Sequence, residues 1–506
     1  MDKIVNNKDV RNYLKILLKI VLLLGILLRL TIYAQQRSIV IDEASLIMNC
    51  VDRGFTQLWG QLDYGQYCPP FFSTIVKSLI IVGGDNELMV RLFPFFAGII
   101  ALLLFYRLTL RFLSPTSAVF ALGIAAFSSI FIEYSVLCKQ YSTDSMIALL
   151  LITMQLQQKD TKLDLEGVMV WILVGVVAIW ISMPSVFTLA AIGIVNLYQH
   201  YRKYNTYWRH FFLNWVFIGG IWCINFAMFY YLMLKEGIGN AQMIAFHKSY
   251  YLNLLPTNLA EFSDLGNQLL AVNGAVWGWS TIGLVLPIIG LVSLIIFRKK
   301  VENEILLLLG VPIVLCLLAS SIGLYSLIPR MTLFFQFNLL LLVFIGCNFL
   351  FSLQHKHKAV VVLKSAFMIL LTVVILKEAR LKNFYQPFKG EWSLIRGAMN
   401  FAESHQNEYD AIWVKISCLN AFYYYTRKHE MVNQYNIPVI PELWRCCSED
   451  NSYQNILLTK ANFRKILVIE DGLSEKKLSS FIAQNAGKCA VIYQGSGVQI
   501  HTIHWE

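Results

Sequence analysis

Of the 506 residues, 57% are apolar and only 14% charged, against roughly 45–50% and about 25% in water-soluble domains. With a mean hydropathy of +0.56, lipid must be the solvent for most of the chain, which excludes a soluble, disordered, fibrous or small disulfide-stapled protein. The net charge of +11 lies mostly in short loops between apolar runs, where it sets topology. No RNP, zinc-finger or helix-turn-helix pattern and no 20–50-residue repeat accompanies it, so no nucleic-acid partner is expected.

Apolar runs that could cross a bilayer of roughly 30 Å fall at 14–34, 88–106, 117–137, 141–157, 167–183, 184–199, 211–232, 278–297, 304–326, 331–351 and 359–377. The expected architecture is a mainly α, polytopic bundle of about eleven spans. The weakest break is at Pro184, where two runs could be one kinked helix. The first run resembles a signal peptide up to Ala34, but Lys19 and Ile32 fit that poorly, and a retained helix is expected.

Lys3, Lys8, Arg11 and Lys15 place the N-terminus in the cytoplasm. Counting forward, the even-numbered links carry Arg107 and Arg111, Lys159 and Lys162, Arg202, Lys203 and Arg209, Arg298–Lys300, then Lys356 and Lys358. All fall on the same, inner side, and merging the runs at Pro184 would break that pattern. The long segments 35–87, 233–276 and 378–506 then lie outside, where any chemistry belongs. This divides the chain into a membrane domain, 1–377, and an extracytoplasmic α/β domain, 378–506.

The first outer loop opens on Asp42-Glu43. These acids read either as helix-start residues for an interfacial helix over 44–53 or as a partly desolvated carboxylate base for an acceptor hydroxyl; spacing alone favours the first. Then come Tyr64-Gly65-Gln66-Tyr67-Cys68-Pro69-Pro70 and an apolar helix expected over 71–82, started by the proline pair and suited to lying along the membrane face.

The outer turn after the third run holds Glu133-Tyr134 and Lys139-Gln140-Tyr141-Ser142-Thr143-Asp144. The bland reading is interfacial anchoring; the alternative is a site where Lys139 meets a lipid phosphate. Arg330, opening the tenth run, either snorkels or adds a second phosphate contact.

In the tail, a helix is expected over 391–405, a strand over 411–415, a helix over 419–427, a strand over 465–470 and a helix near 474–484. Strands at 489–494 and 498–503 flank a hairpin turn at Gly495-Ser496-Gly497. His355, His357, His501 and His504 form no metal motif. Seven cysteines, Cys50, Cys68, Cys138, Cys418, Cys446, Cys447 and Cys489, face a side where disulfides can form; Cys223, Cys316 and Cys347 read as packing residues.

Taken together, these stretches resemble the GT-C superfamily of polytopic glycosyltransferases, in its family 39-like branch of protein mannosyltransferases and aminoarabinose transferases. Arg37-Ser38-Ile39-Val40-Ile41-Asp42-Glu43-Ala44 is similar to that branch's RSLWLDEA, and Tyr64-x-Gln66-x-x-Pro69-Pro70 to its YxQxxPP. Glu87-x-x-x-Arg91-Leu92 and Lys139-Gln140-Tyr141-Ser142-x-Asp144 resemble two further motifs, in order, across the first 160 residues. Tyr325 and Arg330 fit a late outer segment. One departure is Leu137, where such enzymes commonly carry an acid; Glu133, at i−4 on a shared helical face, could replace it. Cys68 stands where a small residue is expected.

The resemblance implies a polyprenyl-phosphate sugar donor used on the outer face of a bacterial plasma membrane, with a glycan, lipid or protein acceptor. It implies Asp42 as base, Glu43 as acceptor contact or loop support, and Lys139 and Arg330 on the leaving phosphate. Tyr141 and Asp144 would position donor or cations, with Tyr64, Gln66, Arg91 and Glu133 as further substrate contacts. Two acids within reach could hold Mg²⁺ or Mn²⁺. A transporter or flippase of a lipid-linked intermediate is the alternative; it lacks support from internal repeats or charges at mid-membrane.

Overall fold

A computed structural model describes residues 8–158, 163–203, 208–235, 241–278, 280–352, 358–379, 395–426, 456–460, 463–471, 475–485, 487–494 and 498–505. His355, His357, Cys446, Cys447, the turn 495–497 and the start of the helix expected from 391 lie outside them.

In chain order the helices are α1 (Lys8–Ala34), α2 (Ile41–Asp52), α3 (Pro70–Gly83), α4 (Glu87–Phe112), α5 (Pro115–Phe127), α6 (Ser129–Glu133), α7 (Tyr141–Gln157), α8 (Leu165–Ile181), α9 (Ser185–Lys203) and α10 (Trp208–Phe229). They continue with α11 (Ala241–Lys248), α12 (Leu259–Trp277), α13 (Ser280–Ile296), α14 (Asn303–Ser321), α15 (Leu333–Ser352) and α16 (Lys358–Glu378). Ten of the eleven apolar runs overlap one of these helices, and the third is broken between α5 and α6. Among the described residues, five stretches, Asn12–Ala34, Glu87–Phe112, Phe212–Leu234, Asn303–Ser321 and Pro329–Ser352, are long and apolar enough to cross a membrane. The chain is an integral membrane protein.

The chain forms two compact units, Met1–Ala34 with Arg53–Leu381, and Gln35–Asp52 with Lys382–Glu506. In the first, a continuous apolar core runs through α1, α4, α5, α7 to α10 and α13 to α16. Small residues let helices approach closely, as lipid-embedded packing requires. Ser293 Oγ donates to the Gly346 carbonyl at 2.9 Å where α13 crosses α15, and a methyl group on Gly346 would strike the backbone of Gly290. Two residues further along α15, Asn348 ties the α4–α5 corner, accepting from Ser114 N at 2.9 Å and donating to the Phe112 carbonyl at 3.0 Å.

The third apolar run differs from expectation. Helix α5 stops at Phe127, Ser128 is extended (φ −60°, ψ 125°), and α6 is a five-residue piece. The carbonyls this break leaves without helical partners go to Arg29, a residue with 1% exposure on α1. Its guanidinium donates to Ala126 at 3.0 Å, Ala125 at 3.2 Å and Gly25 at 3.0 Å. A cation at a helix C-terminus is favourable, and here it also satisfies buried acceptors.

In the second unit, a four-stranded sheet of β1 (Ala411–Val414), β2 (Lys465–Asp471), β3 (Gly487–Gln494) and β4 (Val498–Trp505) has the order β1-β2-β4-β3, with β1 parallel to β2 and the other pairs antiparallel. Helices α17 (Ile395–His405), α18 (Ile416–Thr426), α19 (Leu457–Lys460) and α20 (Glu475–Gln484) accompany it. Ile466, Val468 and Ile503 pack against Leu478 and Ile482 of α20, and Leu467, Ile469 and Ile500 are buried too, so β2 and β4 are covered on both faces.

Candidate functional site

In the membrane unit, the segment after α6 meets the loop before α3. Asp63 to Gln66 form a tight turn closed by Gln66 N on the Asp63 carbonyl at 3.3 Å, with Tyr64 at φ +61° and Gly65 at φ +62°. A left-handed tyrosine costs about 1–2 kcal/mol, so something must hold it. Arg53 does: it grips both oxygens of Asp63 at 2.8 and 2.6 Å and donates to the Gln57 and Gln61 carbonyls at 3.1 and 2.6 Å.

This turn presents Gln66 to Lys139, whose Nζ donates to Gln66 Oε1 at 2.8 Å; Gln140 Nε2 donates to the Tyr67 carbonyl at 3.4 Å. Two motifs more than 70 residues apart are thereby one structure. Lys139 is 5% exposed, and a buried ammonium is costly unless polar or charged groups meet it. The segment carrying it leans on α4: a methyl group on Gly98 would overlap the Ser135 side chain.

Around Lys139, Tyr134 and Tyr141 meet edge-to-face at 5.0 Å. Arg330 lies 6.0 Å from the centre of the Tyr141 ring and beside the Tyr134 hydroxyl. Tyr325, donating to the Met331 carbonyl at 2.8 Å, anchors the short turn that carries Arg330. Asp144, also 5% exposed, stands beside Ser182. Thr143 Oγ1, Asp144 Oδ1 and Ser182 Oγ are buried without hydrogen-bond partners among the described residues. Such atoms are costly unless a bound group or water satisfies them. Next to Gln66, a shallow cleft is lined by Tyr67, Cys68, Met183, Phe229, Met233 and Leu234; burial there pushes the Tyr67 phenol up from its ordinary value.

Two expected contacts have other surroundings. Arg91 is buried on α4 beside Tyr33, whose hydroxyl donates to the Leu88 carbonyl at 2.7 Å. Glu133 ends α6 and adjoins Tyr134. Because the helix stops at Glu133 and 134–140 is irregular, Glu133 and Leu137 share no helical face, and the i, i+4 substitution read from the sequence does not hold.

Asp42 and Glu43 belong to the second unit. Their helix begins at Ile41, not after them, so both stand in its first turn. Glu43 is fully buried and its Oε2 accepts the Val40 N–H at 3.3 Å, one half of a capping box. Asp42 is half-buried. The segment is fastened to the tail: Ile39 N donates to the Tyr425 hydroxyl at 2.7 Å, Asn420 Nδ2 to Ser45 Oγ at 2.8 Å, and Arg396 to the Gln36 carbonyl at 2.5 Å.

No protein-family model matches the chain, and no curated protein matches it. Solved structures do. ArnT from Cupriavidus metallidurans in the apo state matches with a TM-score of 0.52 at 12% identity, over 95% of this chain and 97% of that one. The same enzyme bound to undecaprenyl phosphate matches with 0.52 at 12%, over 97% and 98%. The chain shares the fold of that enzyme. The Archaeoglobus fulgidus oligosaccharyltransferase, in complex with Zn and sulfate, matches with 0.45 at 12%, over 89% of this chain and 67% of that one.

Several residues at the site escaped the sequence reading. Ser182 sits at the end of an apolar run and looks like packing. Met233 and Leu234 belong to a π-helical turn, Tyr230–Leu234, a feature common at functional sites. His247 on α11 is half-buried, and its imidazole is lowered from the ordinary value by burial and then by the Arg330 cation. Only the outer-loop position of 233–276 could have drawn attention to it. No three His, Cys, Asp or Glu side chains among the described residues converge to hold a metal ion.

Proposed function

We propose that this protein transfers a sugar from a polyprenyl-phosphate donor to an acceptor hydroxyl on the extracytoplasmic face of the plasma membrane. The observation that carries the reading is a buried lysine, Lys139, fixed by Gln66 beside an apolar cleft, with Arg330 at the Tyr134–Tyr141 pair. A buried cation suits the anionic head of a lipid-linked donor. The GT-C fold adds support, since ArnT in that fold has been crystallised with undecaprenyl phosphate.

In this mechanism the hydroxyl of the acceptor attacks the anomeric carbon while its proton passes to Asp42. The bond from that carbon to the phosphate oxygen breaks, and the departing lipid phosphate keeps the electron pair. Lys139 and Arg330 stabilise the charge that develops on it, in a site poor in water where fixed cations act strongly. A single displacement inverts the anomeric centre. Glu43 supports the loop through its capping bond, and Tyr141 and Asp144 orient the donor, the unsatisfied Thr143, Asp144 and Ser182 oxygens serving as sugar contacts. Gln66 and Tyr64 set the position of Lys139, and Arg91 and Glu133 hold the surrounding loops.

The test is donor consumption by purified protein with membrane extract and a panel of radiolabelled polyprenyl-phosphate sugars. Turnover by wild type that disappears in Asp42→Asn, with folding retained, is expected. Equal turnover in both removes Asp42 as the base. Binding of every donor with no turnover of any would favour movement of a lipid-linked intermediate instead.

A further inference from the structure

Glu470, His501 and Cys489 lie on three adjacent strands of the tail sheet and take no part in sugar transfer. His501 Nε2 and Glu470 Oε1 are 2.9 Å apart, both side chains with no exposed surface. The other ring nitrogen, Nδ1, faces Cys489 Sγ at 3.7 Å. Register explains the alignment: His501 pairs with Val468, Glu470 with Gln499 and Cys489 with Ile503, so all three share the face covered by α20.

The charges fit a cationic imidazole. A lone carboxylate in the layer of Ile466, Val468, Leu478 and Ile503 would be strongly disfavoured, and a protonated histidine compensates it. Burial works against that cation, but the contacts with Cys489 and Glu470 and the Glu470 charge outweigh it, holding His501 up at about 9. Lys488 and His504 face each other across the pair of strands and, by alternation, on the opposite face. Helix α20 carries Glu475, Lys476 and Lys477 at its start. Cys489 itself is on β3, the edge strand, and only half-buried, so a small reagent can reach it while its two partners stay closed off.

We propose that Cys489 is a modification site, a thiol backed by the His501–Glu470 pair that exchanges with small-molecule disulfides. The Cys489 sulfur loses its proton to water and attacks one sulfur of the disulfide; the old S–S bond breaks, a mixed disulfide forms, and the departing thiolate takes up a proton. His501 keeps its proton throughout and places positive charge beside the attacking sulfur at 3.7 Å.

The experiment uses the full-length protein in detergent micelles, 4,4′-dithiodipyridine as reagent, and peptide mass spectrometry to read Cys489. At pH 6, Cys489 should react about tenfold faster in the folded protein than in the same chain unfolded by urea. That figure allows for the lower intrinsic nucleophilicity of a cation-stabilised sulfur. His501→Gln should remove most of the advantage, and Glu470→Gln, which keeps the ring, part of it. A folded-state rate at pH 6 no higher than the unfolded one overturns the proposal whatever the variants do. An unchanged rate in either variant, with its tryptophan fluorescence native, overturns the role of the pair.

Discussion

Replacing Lys139 with methionine separates the anion site from the lipid groove most cleanly. Methionine keeps much of the volume and removes the charge. A charge-assisted hydrogen bond to a phosphate oxygen contributes roughly 1.5–3 kcal/mol. Lys139 already donates to Gln66 at 2.8 Å, so part of that gain replaces an existing bond, and the net loss should fall near the lower end. Polyprenyl phosphate should then bind about 10–30-fold more weakly. Equilibrium binding in nanodiscs measures this, with neutral polyprenol of the same chain length as control, because its affinity should be unchanged. Phosphate binding within twofold of wild type, or an equal loss for polyprenol, would refute the assignment of Lys139 to the head group.

Arg29→Met leaves the Ala125 and Ala126 carbonyls without their donors. Each orphaned acceptor costs roughly 1–3 kcal/mol, partly offset because a buried guanidinium is no longer desolvated, so a lowered unfolding temperature in detergent is expected; an unchanged one would mean water replaces the clamp at no cost. His501 is held at about 9, above its unfolded value of about 6.5. Its contribution is therefore complete below pH 6.5 and lost as pH rises through 9. It amounts to about 3 kcal/mol at most. Hydrogen exchange of β2 and β4 should accelerate between pH 6.5 and 9.5 beyond the intrinsic chemical rate, and His501→Gln should abolish the excess.

Helix periodicity and charge placement made most of the architecture legible, since lipid leaves a chain few alternatives to apolar helices. The tail was readable too: α17, α18 and the four strands fall close to where alternation and turn residues put them. Sequence showed less wherever one side chain answers a distant backbone. The stop at Phe127 depends on Arg29, almost a hundred residues earlier, and no local pattern announces it. Glu133 looked like the partner of Leu137 only while a helix was assumed between them. At the site, motif residues Gln66 and Lys139 were legible separately, but their bond was not, because nothing local encodes a contact across 73 positions. Cys489, His501 and Glu470 likewise come together only through strand register.

The fastening of residues 36–45 to α17 and α18 changes what a truncation means. Without the tail, Ile39 loses the Tyr425 oxygen, Gln36 loses Arg396 and Ser45 loses Asn420. A chain cut after the last membrane helix would thus keep Asp42 in its sequence while losing the scaffold that shapes the turn around it. Inactivity of such a fragment would say nothing about whether the tail touches substrate. Point changes at Asn420 and Tyr425 loosen the same segment with the sheet intact, and they are the informative alternative to deletion.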